Sequence, residues 1–138
     1  MPTLSLRILI ADSQHLQRLS IEKILNQYGY HRVAPIASLE ELLTVIQYAL
    51  EPFELLVINS ALMVGSGHRI EDFCRNCPSI LNALIYDGHA MQFFVMKGEG
   101  QIIKKLSGVP DSDSIKNIMS LIDKGRQGTF LYSCHAFE

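Results

Sequence analysis

A chain of 138 residues and 15.5 kDa has room for one domain of ordinary size. Hydrophobic residues make up 48% and charged residues 19% of it, against a usual charged share of about 25%, which excludes a disordered tail or a low-complexity linker. Net charge is −2 and no basic run exceeds Lys104-Lys105, so neither nucleic acid nor an anionic membrane is expected as a partner.

Three cysteines, Cys74, Cys77 and Cys134, occur in a chain that opens Met1-Pro2-Thr3 without the basic, apolar and cleavage-site pattern of a signal peptide. The expected compartment is the reducing cytosol. No apolar stretch approaches the roughly 20 residues of a membrane-spanning helix, so a soluble protein is expected.

In chain order, Leu6 to Ala11 is an apolar run broken only by Arg7, short enough and β-branched enough for a strand buried on both faces. Gln14 to Tyr28 follows as an amphipathic helix, with Leu16, Leu19, Ile24, Leu25 and Tyr28 at three- and four-residue spacing, and stops at Gly29. Arg32 to Ile36 reads as a second strand. Ser38-Leu39-Glu40-Glu41 is a capping box opening a helix to about Leu50, which Pro52 ends.

Phe53 to Ile58 is the most apolar strand. A loop from Asn59 to Gly67 leads to a helix from Arg69 to Asn76 that Pro78 closes. Ile80 to Tyr86 predicts a fourth strand, Ala90 to Lys97 a short fourth helix, Gln101 to Lys104 a weak fifth strand and Ser112 to Lys124 a last helix. Strands alternating with helices imply a mostly parallel sheet covered on both faces. Residues 1–124 form the expected domain. In the remaining 14 residues, Thr129-Phe130-Leu131-Tyr132 has strand character and is expected either to dock as an extra edge strand or to be a mobile tail.

Ligands of open doubly wound sheets collect at the carboxyl ends of the strands, which directs attention to Asp12, Asn59, Asp87 and Lys104. Here the sequence resembles the receiver domain of bacterial two-component response regulators, over about residues 5 to 124. The resemblance rests on Arg7-Ile8-Leu9-Ile10-Ala11-Asp12-Ser13 as the first strand, and on Phe53 to Ile58 with Asn59 and Ser66-Gly67 as the third strand and its loop. It implies a flavodoxin-like α/β fold: a doubly wound five-stranded parallel sheet of order 2-1-3-4-5 with helices on both faces. It also implies a phosphorelay chemistry in which an aspartate after the third strand accepts a phosphoryl group. Two acidic residues after the first strand and the acceptor carboxylate would then hold Mg²⁺.

This chain departs from that pattern. Asp12 matches the first acidic position, but the second is Ser13, a poorer ligand for a hard cation. The acceptor position holds Asn59, whose amide is not a carboxylate nucleophile. Asp87 takes the position of a hydroxyl residue, Lys104 fits the lysine after the fifth strand, and Gln101 replaces an aromatic residue that reports phosphorylation. Mg²⁺ binding is expected to be lost or weak, with no other cofactor and no enzymatic activity. Asp12, Asp87 and Lys104 are expected to form a salt-bridged cluster instead.

Cys74 and Cys77 have the spacing of a metal-binding or redox pair, which is the alternative reading of the function. They lie at the end of their helix, however, where the dipole does not favour a thiolate. Met91, Phe93, Phe94, Val95 and Met96 crowd the expected fourth helix beyond what one core-facing stripe requires. Met91, Phe93, Phe94 and Gln101 are therefore the expected interface residues of a pseudo-receiver, a module that signals by contact without phosphorylation. A histidine kinase or a transcription regulator is an expected partner. So is a second copy, through the fourth helix, fifth strand and fifth helix.

Overall fold

The aliphatic run Ile8–Ala11 forms β1, with each of its residues buried. The computed structural model describes residues 5–87, 94–97 and 101–134. After β1 come α1 (His15–Gln27), β2 (Val33–Ile36), α2 (Leu39–Gln47), β3 (Leu55–Asn59), a 3-10 turn (Ser60–Met63) and α3 (Ile70–Asn76). Then follow β4 (Ala83–Asp87), β5 (Phe94–Lys97), β6 (Ile102–Ser107) and α4 (Ser112–Cys134).

Local chemistry explains the helix ends. Gly29 takes a φ of 93° after α1, and the Tyr30 amide returns to the Leu25 carbonyl at 3.0 Å, closing the helix with a left-handed residue that glycine adopts without strain. At the start of α2, Ser38 Oγ accepts the Glu41 amide at 3.1 Å and caps the helix as expected, while Glu41 Oε1 reaches one residue further back than in a standard capping box and accepts the Ala37 amide at 2.7 Å.

Five strands are parallel in the order β2-β1-β3-β4-β6, which is the expected 2-1-3-4-5 order of parallel strands. Period-2 alternation sends side chains to two apolar layers. On one face Ile8, Ile10, Leu55, Val57, Leu84 and Tyr86 pack with Ile21 and Leu25 of α1 and with Ile115, Ile118, Met119 and Ile122 of α4. On the other, Leu9, Ala11, Leu56, Ile58, Ala83, Ile85 and Ile103 pack with Leu42 of α2 and with Ile70 and Cys74 of α3. Side-chain amides tie the lower ends together: Asn82 donates to the Glu54 carbonyl at 2.8 Å and accepts the Ile102 amide at 3.0 Å.

Three expectations need correction. Phe94 to Lys97 is not helical but forms β5, antiparallel to β6 at the edge of the sheet. Three apolar residues followed by Lys97 have no resolvable period, and β6 supplies backbone partners that a lone helical turn lacks. Residues 90–93 of that expected helix lie outside the described residues, as do Met91 and Phe93. The strand expected to end at Lys104 continues to Ser107, because pairing with β4 persists through Tyr86↔Leu106 and Asp87↔Ser107 before Gly108 turns the chain at a φ of 73°. Finally, residues 125–134 form no extra strand: α4 runs on through them to Cys134. Glycine in a helix interior costs about 1 kcal/mol relative to alanine, so Gly125 and Gly128 weaken the helix without ending it.

Burial separates leucines that look alike in sequence. Leu84 is fully buried, whereas Leu50 is 99% exposed. Leu84→Ala should lower the unfolding free energy by about 2–5 kcal/mol and Leu50→Ala by no more than about 0.5 kcal/mol, read as shifts of the urea midpoint at unchanged slope.

Candidate functional site

Parallel pairing in one register brings Asp12, Asn59 and Tyr86 to the same end of β1, β3 and β4. Asp12 follows Ala11, the last residue of β1. Its own amide donates to the Ile36 carbonyl at 3.0 Å, which continues the ladder and holds the side chain at the strand end. The residue is fully buried.

Both carboxylate oxygens of Asp12 accept hydrogen bonds. Oδ1 takes the Gln14 amide at 2.9 Å, and Oδ2 takes the Tyr86 hydroxyl and the Asn59 Nδ2 at 3.3 Å. Asn59 is committed at its other end too, since its Oδ1 accepts the Ala61 amide at 3.0 Å and caps the 3-10 turn. Arg18 donates to the Asp12 main-chain carbonyl at 2.5 Å and lies 3.3 Å from His15 Nδ1. Burial, followed by the hydrogen bond and negative charge of Asp12, pushes the Tyr86 phenol above its usual pKa, while the Arg18 charge pulls the other way.

These residues do not fit a divalent cation. A hard cation needs several oxygen lone pairs directed at one point. Here N–H and O–H donors point at Asp12, the amide oxygen of Asn59 is used by the backbone, and Ser13 is exposed. An aspartate at position 59 would instead set two carboxylates against each other, which without a cation or a shared proton is repulsive.

Tyr86 is the site residue that sequence reasoning missed. The available signal was a tyrosine closing the aliphatic run Ala83-Leu84-Ile85, because a buried phenol requires a polar partner.

The expected salt-bridged cluster differs at Asp12, whose carboxylate takes the neutral donors of Gln14, Asn59 and Tyr86. Lys104 is buried at mid-strand, paired in register with Leu84 and Val95, so the site-end residue of β6 opposite Asp87 is Ser107. Burial lowers the pKa of the Lys104 ammonium. Lys105, on the other face of the strand, forms an ion pair with Glu71 of α3 at 2.7 Å, which holds the Glu71 carboxyl below its ordinary pKa.

Gln101 is not a free interface residue. Its Nε2 donates to the Cys74 carbonyl at 2.9 Å and to the Ile80 carbonyl at 3.3 Å, joining the end of α3 to the approach of β4. The backbone of Phe94 lies in β5 rather than on a helix. Cys74 and Cys77 are free thiols, and Cys74 sits in the core. Burial first, with Cys77 and Glu71 adding to it, pushes the Cys74 thiol up to about 12. Metal ligation and disulfide exchange both use the thiolate, which this environment suppresses.

Tyr86 has a counterpart in Tyr30, whose hydroxyl donates to the buried Asp123 of α4 and whose pKa burial likewise raises. A phenol with a folded-state pKa above its unfolded value of about 10 adds stability below that pH and loses it as pH rises further. Alkaline titration by phenolate absorbance should therefore show Tyr30 and Tyr86 ionising only as the chain unfolds. Tyr86→Phe and Tyr30→Phe should each remove one late equivalent.

No protein-family model matches this sequence, and no curated protein sequence matches it. Solved structures do. A response regulator receiver domain protein from Bacillus halodurans superposes with a TM-score of 0.61 at 17% identity, covering 91% of this chain and 97% of that one. A CheY-like response regulator receiver domain protein from Methanospirillum hungatei gives 0.60 at 19% identity, covering 89% and 98%. A signal receiver domain of two-component signal transduction (histidine kinase) from Clostridium thermocellum gives 0.64 at 13% identity, covering 88% and 99%. The chain has the CheY-like flavodoxin fold of these receiver domains, extended at one edge by an antiparallel strand.

Proposed function

We propose that this chain is a pseudo-receiver of a two-component signalling system, acting through phosphorylation-independent protein contacts and without enzymatic activity. One observation carries the reading: Asn59, at the position that corresponds to the phospho-acceptor, donates its amide to Asp12 at 3.3 Å. Fold likeness supports the receiver half of the proposal, and the hydrogen bonds closed around Asp12 support the loss of phosphoryl chemistry. The degenerate site comprises Asp12, Ser13, Asn59, Asp87 and Lys104, to which we add Tyr86. A domain over residues 1–124 in the cytoplasm, with a histidine kinase or a transcription regulator as partner, completes the proposal. Among the described residues no helix is long and apolar enough to cross a membrane.

Asparagine cannot form the acyl phosphate that a carboxylate nucleophile gives, and a phosphoryl group brought to this site would meet the Asp12 carboxylate without a neutralising cation. Incubation with acetyl phosphate and millimolar Mg²⁺ should leave the intact mass unchanged. A stoichiometric gain of one phosphoryl group, lost on hydroxylamine treatment, would overturn the reading.

A further inference from the structure

The two edges of the sheet differ in what their backbones offer. At the β2 edge, the Arg32 and Ile36 carbonyls accept the Ile8 and Asp12 amides at 2.9 and 3.0 Å, so the alternate residues, Val33 and Pro35, turn their backbone outward. Pro35 has no N–H to offer there, which blunts that edge against strand pairing.

At the opposite edge, β5 is the last strand among the described residues, and its sequence Phe94-Val95-Met96-Lys97 contains no proline and one charge. Backbone directions in β6 fix those in β5. The Ile102 and Gly108 amides point toward β4, donating to Asn82 Oδ1 and the Asp87 carbonyl, so the odd-numbered residues of β6 face β5. Ile103 is opposite Met96 and Lys105 is opposite Phe94. In an antiparallel ladder these are the hydrogen-bonded pairs, which leaves Val95 and Lys97 with N–H and C=O groups directed to the outer edge.

We propose that β5 pairs with β5 of a second copy across a two-fold axis, continuing the sheet from one protomer into the other. Only registers that set outward residues against outward residues form hydrogen bonds. Centring the axis on Lys97 would oppose two like charges. Centring it on Met96 sets Val95 against Lys97 twice and uses both outward residues of each copy. Head-to-tail pairing of β5 with β2 meets the missing donor of Pro35, so closed dimers rather than open filaments are the product. This inference stands on the backbone of the sheet and is independent of the chemistry at Asp12.

Sedimentation velocity of the full chain should show a concentration-dependent dimer in the micromolar range. Val95→Pro removes an outward donor but no bond to β6, and should raise the dissociation constant by roughly tenfold or more, because both copies lose a donor at once. Its melting temperature, extrapolated to low concentration, should stay near that of wild type. Should Val95→Pro unfold, Met96→Cys decides the matter. In a non-hydrogen-bonded antiparallel pair the two Cα atoms stand about 4.5 Å apart, within disulfide reach. Mild oxidation should then give a covalent dimer linked through residue 96 in the peptide map. A wild-type monomer at high micromolar concentration, a folded Val95→Pro that dimerises like wild type, or no linkage at residue 96 would each overturn the proposal.

Discussion

A carboxylate held out of water must be given hydrogen-bond donors, and Asp12 is such a carboxylate at the point where β1, β3 and β4 converge. An unsatisfied buried charge costs several kcal/mol, so its neighbours are constrained by it. Three elements answer that demand: the Gln14 amide entering α1, the Asn59 side chain at the end of β3 and the Tyr86 hydroxyl at the end of β4. The parallel register delivers the Asn59 and Tyr86 donors, and the local turn into α1 delivers the Gln14 amide. Asn59 continues into the 3-10 turn that its own oxygen caps, so one side chain links the site to the loop beyond it.

The same network accounts for what the strand end does and does not do. Donors on both oxygens of Asp12 take the place of a cation, and neutral Asn59 removes the second carboxylate that would make a cation necessary. β6 is aligned so that Ser107, not a lysine, stands opposite Asp87, while Lys104 and Lys105 are drawn back along the strand, one buried and one paired with Glu71. An arrangement of this kind holds one state of the site without ligand. On the function proposed above, any signal that passes through the domain depends on surfaces rather than on strand-end chemistry.

Much of this was legible in the sequence wherever a local rule acted alone. The aliphatic run Ile8–Ala11, the Ser38 capping box and the glycine stop after Tyr28 each report a short-range preference, and each element formed where expected. Asp12 and Asn59 were marked by their positions after apolar strands. Residues decided by distant partners were harder to read. Tyr86 is a site residue only because the register sets it near Asp12, and the shift of Lys104 away from the strand end depends on how far β6 follows β4. Phe94–Lys97 carries no period in four residues, so the open side of β6 decided between helix and strand. Gln101 looked like a surface residue until the Cys74 and Ile80 carbonyls gave its amide a place.

The central claim is that hydrogen-bond donors occupy the place of a cation around Asp12, and a Mg²⁺ titration followed by amide resonances tests it most directly. Through millimolar Mg²⁺, the backbone amides of Asp12, Ser13, Gln14 and Asn59 should show no saturable shift beyond that of exposed reference amides. A saturable shift confined to those residues, with its midpoint in the millimolar range and abolished by Asp12→Asn, would contradict the account.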